Sequence, residues 1–181
     1  EIAVPNRYGD ALIRKLMQTG ENLNAVLYGT EAMGVMRIEK GHPAGNELNG
    51  RTTARDLGFG KMVSKKKDCI GNVLSQRVGL NQNNRPILVG FKSTNPQDQI
   101  TAGSHLFDIG KTLVPDNDLG YLTSVAYSPM LENYIALGYL KQGKYRKGEK
   151  LRAIDMLQNK DIEIEVVSPH FFDPKGERLH G

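Results

Sequence analysis

Cysteine is almost absent from this chain of 181 residues. The single cysteine, Cys69, excludes an internal disulfide and is typical of a reducing compartment, so we expect a cytoplasmic protein. We expect Cys69 to be an inert thiol rather than a nucleophile. Histidine is scattered singly at four positions, so the sequence shows no Cys/His cluster at metal-ligand spacing and predicts no metal site.

Long apolar runs and the common catalytic signatures are also missing. No apolar stretch approaches the roughly 18 residues that span a bilayer, and no basic segment followed by an apolar one opens the chain. We therefore predict neither a membrane span nor a secretory signal. The phosphate-binding Gly-x-x-x-x-Gly-Lys, the dinucleotide Gly-x-Gly-x-x-Gly after a strand and the nucleophile elbow do not occur.

Basic residues exceed acidic ones by four, within a composition typical of folded proteins. They concentrate in Lys65-Lys66-Lys67 and in the segment 144–152. Tyr145 is the only aromatic residue in either cluster, and no nucleic-acid-binding motif is present. We predict two solvated turns and no nucleic-acid partner. The alternative is attraction for a polyanionic ligand or an acidic partner surface.

The chain divides by composition at the turn-rich segment Asn81–Pro86. We predict one domain over residues 1–82 and a second over 83–181. The opening Glu1-Ile-Ala-Val-Pro5 resembles the tail of a strand, so we expect a fragment of a longer polypeptide. In the first part we predict helices over Tyr8–Met17 (capped by Asn6), Glu31–Lys40 and Cys69–Gln76, strands over Asn24–Leu27 and Phe59–Ser64, and a loop over Gly41–Asp56.

The second part has short β-type segments between glycine-containing turns, which predicts a small barrel or jelly roll. The segment Asp161–Val167 alternates strictly between charged and apolar residues, so one of its faces should meet solvent. The fold class is therefore α+β, with a small six-stranded β-barrel at the C-terminal end. The predicted strands are Ile87–Lys92, Ser104–Asp108, Ser124–Tyr127, Ile135–Leu140, Leu151–Ile154 and Ile162–Val167.

Arg37 is the strongest site candidate, because it is embedded in a segment that otherwise has the pattern of a buried helix. Arginine is rarely buried without a partner, and an unpaired buried charge is costly. Glu39 points elsewhere around a helix. The partner must therefore be a ligand or a carboxylate distant in sequence, for which Asp56 and Asp68 are candidates.

Five motifs in order resemble the glycine-cleavage aminomethyltransferase family, and within it the alpha subunits of heterotetrameric sarcosine oxidases, in their C-terminal part. The family helix Ala-x-x-x-Leu-Arg-Leu-Glu-x-Gly is matched by Ala32-Met-Gly-Val-Met-Arg-Ile-Glu-Lys-Gly41. The others are Gly45-Asn-Glu-Leu48, Leu57-Gly-Phe-Gly-Lys-Met-Val-Ser64 with Asp68-Cys-Ile-Gly71, Thr123-Ser-Val-Ala-Tyr-Ser-Pro129 and Ile135-Ala-Leu-Gly-Tyr139.

The resemblance implies a tetrahydrofolate site. Arg37 matches the family arginine at that site, and Glu1-Ile2 matches the end of the family motif whose glutamate hydrogen-bonds the pterin ring. The implied parent enzyme oxidises sarcosine at a flavin, with formation of hydrogen peroxide. It passes the one-carbon unit to tetrahydrofolate, which gives 5,10-methylene-tetrahydrofolate and glycine.

The same resemblance implies that other parts of the enzyme complete the chemistry. FAD, FMN and NAD would bind elsewhere in the parent complex, and the beta subunit would be the main partner. No catalytic residue is expected within this chain, which alone should be inactive. Two alternatives stay open, a stand-alone aminomethyltransferase of the glycine cleavage system and a degenerate folate domain that serves as a subunit-docking module.

Overall fold

The computed structural model describes residues 2–64 and 66–179. The chain divides into two compact units, Glu1–Met33 and Gly34–Gly181. The helices are α1 (Gly9–Gly20), α2 (Thr30–Lys40) and the single turn α3 (Asn72–Ser75). The strands are β1 (Pro86–Ser93), β2 (His105–Asp108), β3 (Gly120–Ser128), β4 (Asn133–Lys141), β5 (Lys150–Asp155) and β6 (Lys160–Val167). Short 3-10 turns lie at Asn6–Tyr8, Glu21–Leu23, Gly45–Glu47, Gly60–Met62, Val78–Leu80, Pro115–Asn117, Gly143–Tyr145 and Glu177–Leu179.

The six strands close into an antiparallel barrel in the order β1-β4-β3-β2-β5-β6, with β1 pairing β6. Each predicted strand is therefore confirmed. Strand β2 is one residue shorter than predicted, and the other five strands are two to five residues longer. The alternation in β6 is confirmed as well. Ile164 and Val166 are buried in the barrel, whereas Glu163 and Glu165 form ion pairs with Lys150 and Lys92.

Strand β4 is apolar on both faces because it separates two hydrophobic clusters. Ala136 and Leu140 belong to the barrel interior, and Leu137 and Tyr139 face a second cluster that contains Ile38 of α2. A strand covered on both faces has a continuous apolar sequence rather than an alternating one. The C-terminal end of α2 thus packs against the outside of the barrel.

Several predictions for the first part are wrong. Asn24–Leu27 forms no strand, and the Val26 side chain is 78% exposed. A strand needs a hydrogen-bonded neighbour, and none of the described residues pairs with this segment. Phe59–Ser64 contains a 3-10 turn instead of a strand, and residues 2–5 are not in a strand.

The predicted helices are confirmed with different ends. Helix α1 runs to Gly20 and begins after the 3-10 turn that contains Asn6, so Asn6 does not cap it. Helix α2 begins at Thr30, and the predicted helix over Cys69–Gln76 is reduced to α3. Between α2 and Asp56 the chain is irregular apart from one 3-10 turn, as predicted. In the described part of the chain no helix is long and apolar enough to cross a membrane.

Candidate functional site

Arg37 lies near the C-terminal end of α2, and its surroundings differ from the prediction. Among the residues of α2 only Ile38 is buried, while Met33 and Met36 are 52% and 44% exposed. The helix is therefore not surrounded by apolar packing. The Arg37 side chain is 26% exposed, so part of the guanidinium is accessible.

The partner of Arg37 is Glu47, whose carboxylate is fully buried. Arg37 Nη1 donates to Glu47 Oε2 at 2.9 Å, and the backbone N–H of Ala44 donates to the same oxygen at 2.9 Å. Thr123 Oγ1 and Ser124 Oγ donate to Oε1 at 2.5 and 2.6 Å. Four donors thus satisfy a charge that would otherwise be costly to bury.

Ser124 joins the arginine and the carboxylate into a closed ring. Its hydroxyl donates to Glu47 Oε1 and accepts from Arg37 Nη2 at 2.7 Å. Arg37 Nη1 also donates to the carbonyl of His42 at 3.3 Å. Within the described part of the chain, the Arg37 Nε–H and the second Nη2–H make no hydrogen bond. These two N–H groups lie on one edge of the planar guanidinium, which can receive an acceptor.

The sequence builds this ring from three separate elements. Arg37 comes from α2, Glu47 from the 3-10 turn Gly45–Glu47, and Thr123 and Ser124 from β3. The turn is fixed to the barrel because the Tyr139 hydroxyl donates to the backbone carbonyl of Glu47 at 2.6 Å. The carboxylate therefore has a defined position relative to β3.

Glu47 is held in its ionised form. Burial raises the pKa of its carboxyl, but the hydrogen bonds from Ser124, Thr123 and Ala44 and the charge of Arg37 outweigh burial. The pKa of Glu47 consequently lies below its usual value of 4.5. Burial raises the pKa of Tyr139 to about 12, so its phenol remains a donor across the physiological range.

The expected anionic partner of Arg37 exists, but neither suggested carboxylate supplies it. Asp56 accepts from Arg85 Nη2 and Nε at 2.6 and 3.1 Å, and Asp68 is exposed. The charge of Arg37 is balanced inside the chain, so burial alone does not require a ligand. One sequence signal was available, since Glu47 is the only acidic residue between Lys40 and Asp56.

Glu1, the second predicted folate contact, lies outside the described residues, so the structure does not bear on it. The basic segment 144–152 is largely neutralised. Arg146 pairs with Asp108 and Glu149, Lys150 with Glu163, and Arg152 with Asp161. Lys144 and Lys147 are exposed. The arrangement agrees with the predicted solvated turn. It leaves little unpaired positive charge that could attract a polyanion.

A cavity of about 490 Å³ adjoins the ring and shares Thr123 with it. Asn46, Asn49, Arg51 and Tyr121 contribute to its lining. A second cavity of about 550 Å³ lies between the loop at Thr53–Arg55 and the segment around α3. Among the described residues no group of three or more His, Cys, Asp or Glu side chains could hold a metal ion.

Two family models match the chain. The GCVT N-terminal domain matches residues 1–67, and the glycine cleavage T-protein C-terminal barrel domain matches residues 87–173. The ring draws Arg37 and Glu47 from the first match and Thr123 and Ser124 from the second. The chain belongs to the aminomethyltransferase-like family of glycine cleavage T-proteins.

Individual relatives fall into two groups. The chain is 42% identical over 181 residues to sarcosine oxidase subunit alpha of Rhizobium meliloti (strain 1021). The match covers 99% of this chain and 18% of the relative. The chain is 29% identical to the same subunit of Corynebacterium sp. (strain U-96), of which it covers 19%. It is 32% identical over 179 residues to mitochondrial aminomethyltransferase of Pisum sativum, covering 97% of this chain and 41% of the relative.

A solved structure shares the fold. Glycine cleavage system aminomethyltransferase T from Bartonella henselae superposes with a TM-score of 0.69 at 24% identity, over 94% of this chain and 45% of that one. The chain thus spans less than half of the solved relative and less than a fifth of the sarcosine oxidase subunits. The predicted family and barrel are confirmed.

Proposed function

We propose that this chain is the folate-holding part of a sarcosine oxidase alpha subunit, with Arg37 as a folate contact. The greater identity to a sarcosine oxidase subunit than to a plant aminomethyltransferase favours this choice, at 42% against 32%. The chemistry of the whole enzyme would be oxidation of the N-methyl amine, with transfer of the one-carbon unit to tetrahydrofolate.

The observation that carries the proposal is the edge of the Arg37 guanidinium formed by Nε–H and the second Nη2–H. The Nη1 and Nη2 groups are engaged by Glu47, Ser124 and the His42 carbonyl, while Nε–H and one Nη2–H have no acceptor in the described part of the chain. Folate offers oxygen acceptors in its pterin carbonyl, its amide and its glutamate carboxylates. A guanidinium donates two parallel hydrogen bonds to a carboxylate, and the two N–H groups of one edge can also converge on a single carbonyl oxygen.

The role of this region is positioning. Tetrahydrofolate is the substrate that accepts a one-carbon unit at the oxidation level of formaldehyde. Arg37, fixed to the barrel through Ser124, would hold it where the imine arrives, which converts a bimolecular capture into a local one. No residue of the chain is assigned an acid or base role, and Glu1 remains a proposed pterin contact.

The rest of the proposed enzyme lies in other segments and subunits. Flavin and NAD sites are assigned to other parts of the complex, and the beta subunit is the proposed partner. A cytoplasmic location remains an expectation from the single cysteine. A stand-alone aminomethyltransferase is the second candidate, favoured by the 32% identity to the Pisum sativum enzyme.

The test uses the whole enzyme complex carrying Arg37→Ala, supplied with sarcosine and tetrahydrofolate. Hydrogen peroxide, formaldehyde and methylene-tetrahydrofolate are quantified together. We expect methylene-tetrahydrofolate per peroxide to fall about tenfold at a subsaturating folate concentration, because a lost hydrogen bond to a charged group is worth roughly 1.5–3 kcal/mol. Carbon would then escape as formaldehyde instead of reaching folate.

Arg85→Ala is the matched control, because Arg85 also pairs with a buried carboxylate but lies outside the ring. It should leave the ratio of methylene-tetrahydrofolate to peroxide unchanged. An Arg37→Ala enzyme with the wild-type ratio would refute the proposal. A complex that makes no peroxide and accepts no one-carbon unit from a lipoyl carrier would refute both candidate functions.

A further inference from the structure

The position of Arg37 depends on Glu47 and Ser124, two residues that have no role of their own in the proposed function. An arginine side chain has several rotatable bonds and loses rotamer freedom when it is fixed. Its own helix provides only the His42 carbonyl just beyond its end, at 3.3 Å. The shorter contacts come from Glu47 and Ser124, which lie 10 and 87 positions away in sequence.

The hydrogen-bond direction at Ser124 follows from the chemistry of its partners. An ionised carboxylate only accepts, and a guanidinium only donates. The single proton of the Ser124 hydroxyl must therefore point to Glu47 Oε1 at 2.6 Å, and a lone pair must face Arg37 Nη2 at 2.7 Å. The ring has one proton arrangement, so it holds the guanidinium in one orientation.

The carboxylate is also held by groups other than the arginine. Thr123 and the backbone N–H of Ala44 also donate to Glu47, and the side chain of Glu47 is fully buried, whereas that of Arg37 is 26% exposed. The buried side of the ring is therefore the rigid support, and the arginine is the member that reaches solvent.

We propose that Glu47 and Ser124 are positioning residues that orient Arg37, so that its Nε–H and remaining Nη2–H meet an oxygen of the folate. This inference rests on the proposed function of Arg37. Glu47 and Ser124 do not touch the folate. They lower the cost of binding because the guanidinium is already ordered when the ligand arrives.

The experiment measures, in the whole complex, the tetrahydrofolate concentration that diverts half of the carbon from formaldehyde to methylene-tetrahydrofolate. Ser124→Ala removes the hydroxyl without stranding a charge, and Ser124→Thr retains it. We expect Ser124→Ala to raise the half-saturating concentration about tenfold, with full diversion restored at saturating folate. Glu47→Gln should raise it by a similar or larger factor, and Ser124→Thr should stay within about threefold of wild type.

Asp56→Asn is the control for general loosening of the fold, because Asp56 is a second buried carboxylate paired with an arginine outside the ring. It should leave the half-saturating concentration unchanged. Equal increases in Asp56→Asn and Ser124→Ala would overturn the positioning role.

The two proposals fail in different ways. If Arg37→Ala weakens folate use while Ser124→Ala and Glu47→Gln behave like wild type, the positioning inference is wrong and the folate contact stands. If Arg37→Ala itself leaves folate use unchanged, the proposed function of Arg37 is wrong, whatever its neighbours do.

Discussion

Apolar residues recur at regular spacing both in the barrel and in the unit Glu1–Met33, but only those of the barrel are buried. In the barrel every strand has two hydrogen-bonded neighbours, and side chains such as Phe91 and Leu106 are fully buried. None of the described residues 2–33 is buried, although α1 has apolar residues at helical spacing. A periodic pattern predicts the element, whereas burial depends on a second surface that covers it.

The strand predictions show the same difference. Ile135–Leu140 and Asn24–Leu27 are both short apolar segments, and only the first forms a strand. It pairs with β1 on one side and β3 on the other. A helix satisfies its own backbone groups, so α1 forms without neighbours, but a strand depends on them.

The largest expected effect comes from a substitution that leaves a cavity in the barrel core. Phe91→Ala removes a fully buried ring from the main cluster and should lower the free energy of unfolding by about 3–5 kcal/mol. Leu16→Ala in α1, where the side chain is 44% exposed, should cost less than about 1 kcal/mol. Urea denaturation of both variants measures the difference. Equal losses would contradict the contrast between the two units.

Acid should loosen the unit Gly34–Gly181, because it contains the buried carboxylates Glu47 and Asp56. Burial raises the pKa of each carboxyl, but hydrogen bonds, from Ser124 and Arg85 first, lower it below 4.5 and 3.8 respectively. A group with a lowered pKa in the folded state stabilises it above the unfolded pKa, and this contribution is lost as pH falls through the folded pKa.

We therefore expect the denaturation midpoint to be flat from about pH 7 to pH 5 and to fall below about pH 4.5. Glu47→Gln should flatten that fall, since one titrating group is removed. The measurement is a series of denaturation curves between pH 3 and pH 7. A Glu47→Gln variant with the wild-type slope would show that this carboxylate does not contribute.

The smallest expected effect is a gain in stability at Gly34, within α2. A Cβ added there meets no atom within 4 Å. Gly34→Ala should raise the free energy of unfolding by about 0.5–1 kcal/mol, because alanine loses less backbone freedom on folding. Thermal unfolding measures it. A loss of stability would contradict this expectation and would indicate that another surface packs closely against residue 34.

The barrel could be predicted from sequence because its strands carry local signals, in apolar segments bounded by glycine turns. Arg37 could be singled out because a charge among apolar residues needs a partner. Ser124 could not be paired with it, since the two residues lie 87 positions apart and their contact is made by the packing of α2 against β3. The suggestion of Asp56 was wrong because Asp56 pairs with Arg85, which directly precedes β1 and lies 29 positions further along the chain.

The central claim is that Arg37 presents a planar edge to the folate rather than a charge alone. The most direct test is equilibrium binding of tetrahydrofolate to the whole complex carrying Arg37→Lys. Lysine keeps the charge but cannot satisfy Glu47 and Ser124 while offering two parallel donors. We predict affinity at least about tenfold weaker than wild type, close to that of Arg37→Ala. Wild-type affinity in Arg37→Lys would contradict the account.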